Sequence, residues 1–340
     1  MLDRYSRQTL FGPIGKVGQE QLRSATVTII GCGALGTVLA NNLGRAGIGH
    51  LIIADRDYIE LNNLQRQILF DEDDVNRHIP KAIAAAERLR HINSDIKIDA
   101  LVEDINADSI DALVRETDLI LDATDNFETR YLINDVCVKY QRPWIYSGVI
   151  AAYGVSMNIL PGETACLRCA FPEMPMPGTT PTCDTAGVLN GIVGAISGLA
   201  STEALKILLK SEKISRAMTW IDLWENTFDR IELPRQEDCP ACGLHHYEFL
   251  DSLQGGSSTT LCGRNAVQVR GTSKKSENRL DFAALAERLQ PITAVNYNEF
   301  LLRCTIDNYE ITVFPDARAI IKGTADEQMA RSVYARYIGM

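Results

Sequence analysis

The sequence predicts an α/β fold in which helices cover both faces of a parallel β-sheet. Apolar, β-branched runs at Thr26–Ile30, His50–Ala54 and Asp118–Asp122 are typical of buried parallel strands. Segments with helical periodicity lie between them, and the clearest is Lys81–Ile92, which follows Pro80. This alternation of strand and helix indicates a doubly wound sheet.

The other elements follow from the same patterns in chain order. A helix is expected from the first glycine-rich turn to about Ala46, where Gly47 and Gly49 end it. The next predicted elements are a strand at Ile96–Val102, a helix at Asp108–Glu116, a helix from Asn126 to about Tyr140, strands at Pro143–Ser147 and Val155–Ile159, a helix at Gly187–Leu209, and a hairpin of Met218–Asp222 and Thr227–Leu233.

A second, smaller region is expected after residue 250. The stretch Gly255–Thr260 is rich in Gly, Ser and Thr, so we predict a domain at 1–250, a linker at 251–262 and an α+β module at 263–340. The module's predicted elements are Ala266–Arg270, Asp281–Leu289, Phe300–Ile306, Tyr309–Phe314, Ala319–Lys322 and Ala325–Tyr337. We see no chemical motif in it, and carrier or partner docking is our expectation.

The composition excludes some classes of function. The chain has 340 residues, 46% hydrophobic and 23% charged, and a formal net charge of -10 without a basic stripe. A nucleic-acid surface is therefore not expected. The longest weakly polar run, around Gly187–Ala200, looks too short to span a bilayer, and the charged N-terminus lacks a signal core, so we expect a cytoplasmic protein. Nine cysteines in that compartment favour metal binding or catalysis over disulfides.

A glycine-rich turn follows the first strand. In GCGALG, Gly31 and Gly33 let the backbone approach a phosphate, and Gly36 lets the next helix pack on the strand. Asp55 ends the second strand, about twenty residues further on, where a carboxylate can accept ribose hydroxyls. Alone, this Rossmann-like pattern also fits NAD or FAD, or a tight turn without a ligand.

Polar residues after Asp55 favour a triphosphate. The run NNLQRQ contains Asn63, Gln67 and Arg66, whose planar fork suits phosphate oxygens. Lys81 opens the next helix, and Thr124-Asp125-Asn126 ends the fourth strand, where Asp125 suits Mg²⁺. Each residue has a plainer alternative: a surface ion pair for Arg66, a solvated position for Lys81, and a helix N-cap for Asp125.

Two CxxC pairs, Cys166/Cys169 and Cys239/Cys242, predict a structural Zn²⁺ site. Four thiolates surround Zn²⁺ tetrahedrally and leave no open position. Each pair alone could instead be a redox motif. The adjacent His245 and His246 are expected to be surface residues, because four cysteines already complete the tetrahedron.

The order and spacing of these motifs resemble the ThiF/MoeB/HesA family, bacterial relatives of the ubiquitin-activating enzymes. The matching motifs, over roughly residues 1–250, are RYSRQ from Arg4, GCGALG, the pair Asp55 and Asp57, NLQRQ, Lys81 and TDN. The resemblance implies ATP·Mg²⁺ binding and formation of an acyl-adenylate. It also implies that Arg7 reaches the nucleotide of a second subunit in a homodimer, that Asn126 belongs to the nucleotide site, and that zinc occupies the four-cysteine site.

The same resemblance implies a substrate: a ubiquitin-like sulfur-carrier protein with a Gly-Gly C-terminus. Cys183, in a polar loop, takes the position of a cysteine that can link covalently to the carrier, although an unreactive thiol is the alternative. The Cys-x-Thr-Ala-Gly pattern, and no appended rhodanese-like domain, favour the thiamine branch over molybdopterin. A sulfur donor such as a cysteine desulfurase would be a further partner.

Two other classes of function are weighed against this one. An NAD-dependent oxidoreductase would use the same glycine turn, but no hydride-handling His or Tyr pair is evident and Arg66, Lys81 and Asp125 would be unused. A scaffold without catalysis would bind the carrier only. It is disfavoured because every expected nucleotide residue is present.

Overall fold

The structure is a computed structural model that describes residues 4–175, 183–252, 258–261, 265–269 and 280–339. The chain forms two compact units, one of Met1–Pro175 with Ala186–Leu253 and one of Met176–Thr185 with Gln254–Met340. The short crossover segment that contains Cys183 thus belongs to the second unit. The sequence had placed it within the domain at 1–250.

The first unit contains the strands and helices that carry the candidate site. Its strands are β1 (Thr26–Ile30), β2 (His50–Ala54), β3 (Lys97–Leu101), β4 (Leu119–Asp122), β5 (Trp144–Ile150), β6 (Tyr153–Ile159), β7 (Met218–Asp222) and β8 (Thr227–Ile231). The helices up to residue 252 are α1 (Ser6–Thr9), α2 (Gly15–Ser24), α3 (Ala34–Ala46), α4 (Glu72–Arg77), α5 (Lys81–Ile92), α6 (Ala107–Arg115), α7 (Phe127–Lys139), α8 (Leu167–Ala170), α9 (Cys183–Ala186, at the boundary of the two units), α10 (Asn190–Leu208) and α11 (Glu248–Ser252).

The sheet of this unit has the order β3-β2-β1-β4-β5-β6-β7-β8. Strands β1 to β5 are parallel, which confirms the predicted doubly wound, Rossmann-like region. Strands β6, β7 and β8 are antiparallel, so the parallel pattern does not continue through β6. The reason is local: only Ala151 and Ala152 separate β5 from β6, too short a connection for the crossover that parallel strands need.

The register of the parallel strands brings their carboxyl ends together. Ile30 pairs with Ala54 on one side and with Asp122 on the other. The next residues, Gly31, Asp55 and Ala123, therefore leave the sheet at the same edge. This edge is where open α/β sheets bind ligands.

Helix α10 packs against α3 and against strands β5 and β6. It is 19 residues long, with mean hydropathy 1.3 in its most apolar window, and half of that window is buried. By length and composition alone it passes the test for a membrane-spanning helix, whereas the sequence had indicated a shorter run. Buried core helices pass the same test. Glu203, which ion-pairs with Lys206, lies inside α10 and is itself buried.

The second unit is built on a sheet of six strands in the order β11-β12-β13-β14-β10-β9. Its elements are β9 (Ser258–Leu261), β10 (Ala266–Val269), α12 (Phe282–Leu289), β11 (Val295–Tyr297), β12 (Leu302–Ile306), β13 (Tyr309–Val313), β14 (Ala319–Lys322) and α13 (Glu327–Tyr337). All its strand pairs are antiparallel. Strand β9 falls inside the predicted linker 251–262, where pairing with β10 fixes its backbone, and α11 reaches into the same segment.

Candidate functional site

The glycine turn between β1 and α3 is pressed against β4. Gly31 has a φ of 93°, and a Cβ atom there would lie 2.5 Å from the carbonyl oxygen of Ala123. A Cβ atom on Gly36 would lie 2.0 Å from the carbonyl oxygen of Gly31. Only glycine fits at these two positions. Gly33 precedes the first turn of α3, whose free N–H groups and dipole favour an anion.

Asp55 braces this turn. Its carboxylate accepts hydrogen bonds from the backbone N–H of Cys32 at 2.6 Å and of Asp57 at 2.7 Å. Burial raises the pKa of Asp55, an effect that the charge of Lys81 opposes. A carboxylate has about four lone-pair directions, so two bonds to the backbone leave room for ribose hydroxyls.

Lys81 is buried, so the alternative of a solvated helix position is wrong. Only 3% of the residue is exposed, and its Nζ atom lies 3.3 Å from Asp57 Oδ2. Its backbone N–H also donates to the carbonyl oxygen of Asp57 at 2.9 Å. The ammonium is thus fixed beside the glycine turn, within the electrostatic field of Asp55.

The predicted polar run after β2 divides into a buried part and an exposed part. Gln67 is buried, its Nε2 lies 3.9 Å from where a Cβ of Gly33 would be, and its Oε1 has no hydrogen-bond partner among the described residues. Asn63, also buried, closes a capping box with Glu60. Arg66 donates to the carbonyl oxygen of Asn62 at 2.7 Å on the exposed side. Gln67 is therefore the member that meets the turn.

Asn126, not Asp125, caps α7. Asn126 Oδ1 accepts the backbone N–H of Thr129 at 2.9 Å, while Asp125 is exposed. The alternative of Asp125 as the N-cap is therefore wrong. The carboxylate of Asp125 lies near the carboxyl end of β4, as a Mg²⁺ ligand would require. The side-chain oxygen of Asn126 caps the helix.

A buried ion pair that the motifs did not indicate fixes this loop. Asp122 Oδ1 accepts from the backbone N–H of Thr124 at 2.9 Å and from its hydroxyl at 2.7 Å. Arg130 Nε lies 3.3 Å from Asp122 Oδ2, and Arg130 Nη2 donates to the carbonyl oxygen of Thr124 at 2.6 Å. Burial raises the pKa of Asp122, and the charge of Arg130 opposes it. In the sequence, this pair could have been found from an Asp at the end of a buried strand followed by an Arg on the next helix.

Arg56 is a second residue that the sequence did not single out. Its Nη1 lies 2.9 Å from Asp104 Oδ1, in the loop after β3. Burial opposes the charged guanidinium, but the charges of Asp104, Asp57 and Asp125 raise the pKa of Arg56 above its usual value. Arg56 thus links the acidic residues at the ends of β2, β3 and β4 electrostatically.

The four predicted zinc cysteines come together. Cys166, Cys169, Cys239 and Cys242 are buried, and their sulfur atoms all lie within 4.8 Å of one another. Cys166 Sγ lies 3.8 Å from Cys169 and 3.6 Å from Cys239. Tetrahedral Zn²⁺ with Zn–S bonds of about 2.3 Å places sulfur atoms roughly 3.8 Å apart, so the cluster fits this ion. The site joins α8 to the chain that follows the β7–β8 hairpin.

The remaining cysteines and histidines that the structure describes differ in burial. Cys32 and Cys137 are buried, and burial raises the pKa of both thiols, which fits packing residues. Cys183 is half-buried at the first position of α9. His245 is exposed, with its Nδ1 3.2 Å from the Tyr247 hydroxyl. Cys262 lies outside the described residues.

Arg7 lies exposed on the short helix α1. Three apolar side chains close to it in sequence are also exposed: Leu10, Phe11 and Val17, at 74%, 61% and 76%. Large apolar side chains grouped at a surface are typical of an interface with another protein.

Comparisons with known proteins agree with this geometry. The ThiF family model matches residues 5–241. The chain is 43% identical over 342 residues to the sulfur carrier protein ThiS adenylyltransferase of Bacillus subtilis, and all of both chains is covered. It is 38% identical over 241 residues to the Escherichia coli protein of the same name, covering 71% of this chain and 94% of that one.

Another relative is the SAMP-activating enzyme E1 of Haloferax volcanii, 37% identical over 253 residues, 74% of this chain and 93% of that protein. Among solved structures, Escherichia coli MccB with ATP has a TM-score of 0.63 and 25% identity, covering 72% of this chain and 74% of that chain. These similarities confirm the family and fold inferred from the motifs. The chain belongs to the ThiF family.

Proposed function

We propose that the protein is an ATP-dependent adenylyltransferase that activates the C-terminal glycine of a ubiquitin-like sulfur-carrier protein in thiamine thiazole biosynthesis. The similarity to the ThiS adenylyltransferase of Bacillus subtilis over both whole chains carries this proposal. The Escherichia coli relative has the same name and matches 71% of the chain.

The reaction needs positioning and charge neutralisation more than covalent help. A carboxylate oxygen of the carrier attacks the α-phosphorus of ATP, an O–P bond forms, and the bond to the β-phosphate oxygen breaks. The products are a mixed anhydride and pyrophosphate. A carboxylate is already ionised, so the step needs no general base.

The residues at the sheet edge suit these demands. The turn from Gly31 to Gly36 and the start of α3 would hold phosphates, and Asp55 the ribose. Lys81 is fixed beside the turn, and the oxygen of buried Gln67, which has no hydrogen-bond partner in the described parts of the chain, offers an acceptor there. We assign Arg66 to phosphate charge, and Asn63 and Asn126 to shaping the site. We also assign Asp125 as a ligand of Mg²⁺, because this ion prefers carboxylate oxygens and the phosphate oxygens of a substrate.

We further propose a homodimer in which Arg7 completes the partner's nucleotide site. Arg7 is exposed on α1, and the exposed side chains Leu10, Phe11 and Val17 provide apolar area beside it. Burying these three side chains against a second copy would contribute several kcal/mol, at about 1.5–3 kcal/mol for each fully buried side chain.

For the later stage we assign Cys183 as nucleophile. Its thiolate would attack the acyl carbon, a C–S bond would form, and the C–O bond to phosphate would break with release of AMP. A persulfide on a sulfur donor such as a cysteine desulfurase would then attack the same acyl carbon and release the Cys183 thiolate, and a thiol reductant would cleave the resulting S–S bond to leave the thiocarboxylate. To Cys166, Cys169, Cys239 and Cys242 we assign a structural Zn²⁺, which would have no part in these steps because four thiolates leave no open position.

ATP–pyrophosphate exchange measured with an added carrier tests the proposal. We expect exchange with a thiamine-type carrier and much less with a molybdopterin-type carrier, each assayed side by side. Exchange with only the molybdopterin-type carrier would favour that pathway instead. No exchange with either, together with NAD reduction by some substrate, would favour an oxidoreductase and overturn the proposal.

A further inference from the structure

Among the described residues, helices α12 and α13 pack on one face of the sheet of the second unit. Val267 and Val269 of β10 and Ile311 and Val313 of β13 join α12 and α13 in one apolar core. Side chains alternate along a strand, so Gln268 and the other intervening residues point to the opposite face.

The centre of this opposite face is nevertheless buried. Gln268, Ile320 and Thr312 pair across β10, β14 and β13 and form one row. Their exposed fractions are only 1%, 3% and 1%. On the neighbouring strand β12, Arg303 is partly exposed and Thr305 is exposed. Something therefore covers the face over β10, β14 and β13 and stops before β12.

A buried cation lies on the same face. Arg318 is 2% exposed, and its Nη1 donates to Gln268 Oε1 at 3.1 Å. Its guanidinium lies 3.9 Å from the centre of the Phe314 ring. A buried, stacked guanidinium is a directional anchor for backbone carbonyls or a carboxylate.

One segment from elsewhere in the chain belongs to this unit. Cys183 and Thr185 group with the module, although about eighty residues separate them in sequence from β10. Grouping across such a distance requires spatial proximity rather than chain connectivity. The segment also contains the candidate nucleophile, which is half-buried.

We propose that the face of the module's sheet opposite α12 and α13, through Gln268, Thr312 and Arg318, holds the segment Cys183–Thr185 and thereby sets the accessibility of the Cys183 thiol. These three are positioning residues, and they act through Cys183. The importance of that thiol rests on the proposed function, but its reactivity can be measured without a carrier. The module then serves the step at Cys183, and adenylation depends on residues of the first unit.

The test measures alkylation of Cys183 by iodoacetamide in the native, full-length protein, by mass spectrometry. The variants are Thr312→Val, which keeps the shape, Gln268→Leu and Arg318→Met. The matched control is Arg303→Met, on the same sheet but at its uncovered end. Alkylation of buried Cys137 reports any global unfolding in the same samples.

We expect the three variants to raise the rate at Cys183 about fivefold or more, the factor that corresponds to ~1 kcal/mol of lost local packing. The alkylation rate of Cys183 in Arg303→Met and the rate at Cys137 in every variant should stay unchanged. ATP–pyrophosphate exchange should stay unchanged as well. An unchanged Cys183 rate in Thr312→Val, or an equal rise in Arg303→Met, would overturn the inference. Failure of exchange in the unmodified protein would instead contradict the proposed function, and the measurement of Cys183 alkylation would still be valid.

Discussion

The Nζ atom of Lys81 lies 3.3 Å from Asp57 Oδ2 in a pair whose side chains are only 4% and 15% exposed. The same lysine opens α5, and its backbone N–H bonds to the carbonyl oxygen of Asp57. Two strong constraints therefore hold the ammonium beside the glycine turn before any nucleotide arrives. In the proposed reaction, such a cation would need no reorganisation as phosphate charge develops.

We expect Lys81→Met to abolish measurable exchange and to lower the free energy of unfolding by about 3 kcal/mol, because it removes the buried ammonium that pairs with the half-buried carboxylate of Asp57. Urea denaturation and the exchange assay measure the two effects. Lys97→Met, which removes an exposed pair with Asp99, should change stability by no more than about 0.5 kcal/mol. Full exchange in Lys81→Met would exclude the lysine from the nucleotide site.

Arg66→Ala and Asp125→Ala should each reduce exchange by about 10²–10³-fold, the loss expected when one preorganised charge contact is removed. Both side chains are at least partly exposed, so stability should change little. Raising the Mg²⁺ concentration should partly restore Asp125→Ala but not Arg66→Ala. Equal rescue of both variants would contradict the assignment of Asp125 as a Mg²⁺ ligand.

Cys183→Ala should keep exchange at the unmodified level, since the acyl-adenylate forms without a thiol. Thiocarboxylate formation on the carrier, followed by mass spectrometry, should be impaired. Cys137→Ala, a change at a buried cysteine of the first unit, serves as the comparison. Loss of exchange in Cys183→Ala would refute this division into two stages.

The purified protein should contain one zinc ion per chain by elemental analysis. Cys169→Ser should lose the ion and lower the melting temperature, because the four-cysteine site joins α8 to the chain after β8. Cys137→Ser should retain the zinc. Full zinc content in Cys169→Ser would show that another set of ligands binds it.

Asp135 should make stability fall as the pH rises. Burial raises the pKa of Asp135 to about 6, even though it accepts the backbone N–H of Phe249 at 2.8 Å. Because this folded-state pKa lies above the unfolded value of about 4, its contribution is complete below pH ~4 and is lost as the pH passes ~6.

Urea denaturation between pH 4 and pH 8 checks this expectation. Across that range, the free energy of unfolding of the unmodified protein should fall by about 2 kcal/mol more than that of Asp135→Asn, at ~1.4 kcal/mol per pKa unit. The Asn side chain keeps an acceptor for the backbone N–H of Phe249. Asp73→Asn, an exposed position, should follow the unmodified protein. Identical pH profiles for Asp135→Asn and the unmodified protein would contradict the assignment.

Local patterns were sufficient for much of this molecule. Strand β1, the glycine turn and helix α5 lie where periodicity and motif placed them, and the two CxxC pairs meet in one cluster. These features depend on neighbouring residues, on backbone space at Gly31 and Gly36, and on the ligand preference of thiolates. A chain carries such information in short segments.

Only the tertiary structure decided the antiparallel half of the sheet, the buried pair Asp122–Arg130, and the grouping of Cys183 with the module. Each depends on which distant segments pack together. A hydrophobic period of two residues in a strand, or of 3.6 residues in a helix, indicates which side of the element is buried. It does not indicate which other element covers that side. The sequence by itself determined the family, the glycine turn and the four cysteines that cluster, and long-range packing determined how the remaining charges and the candidate nucleophile are held.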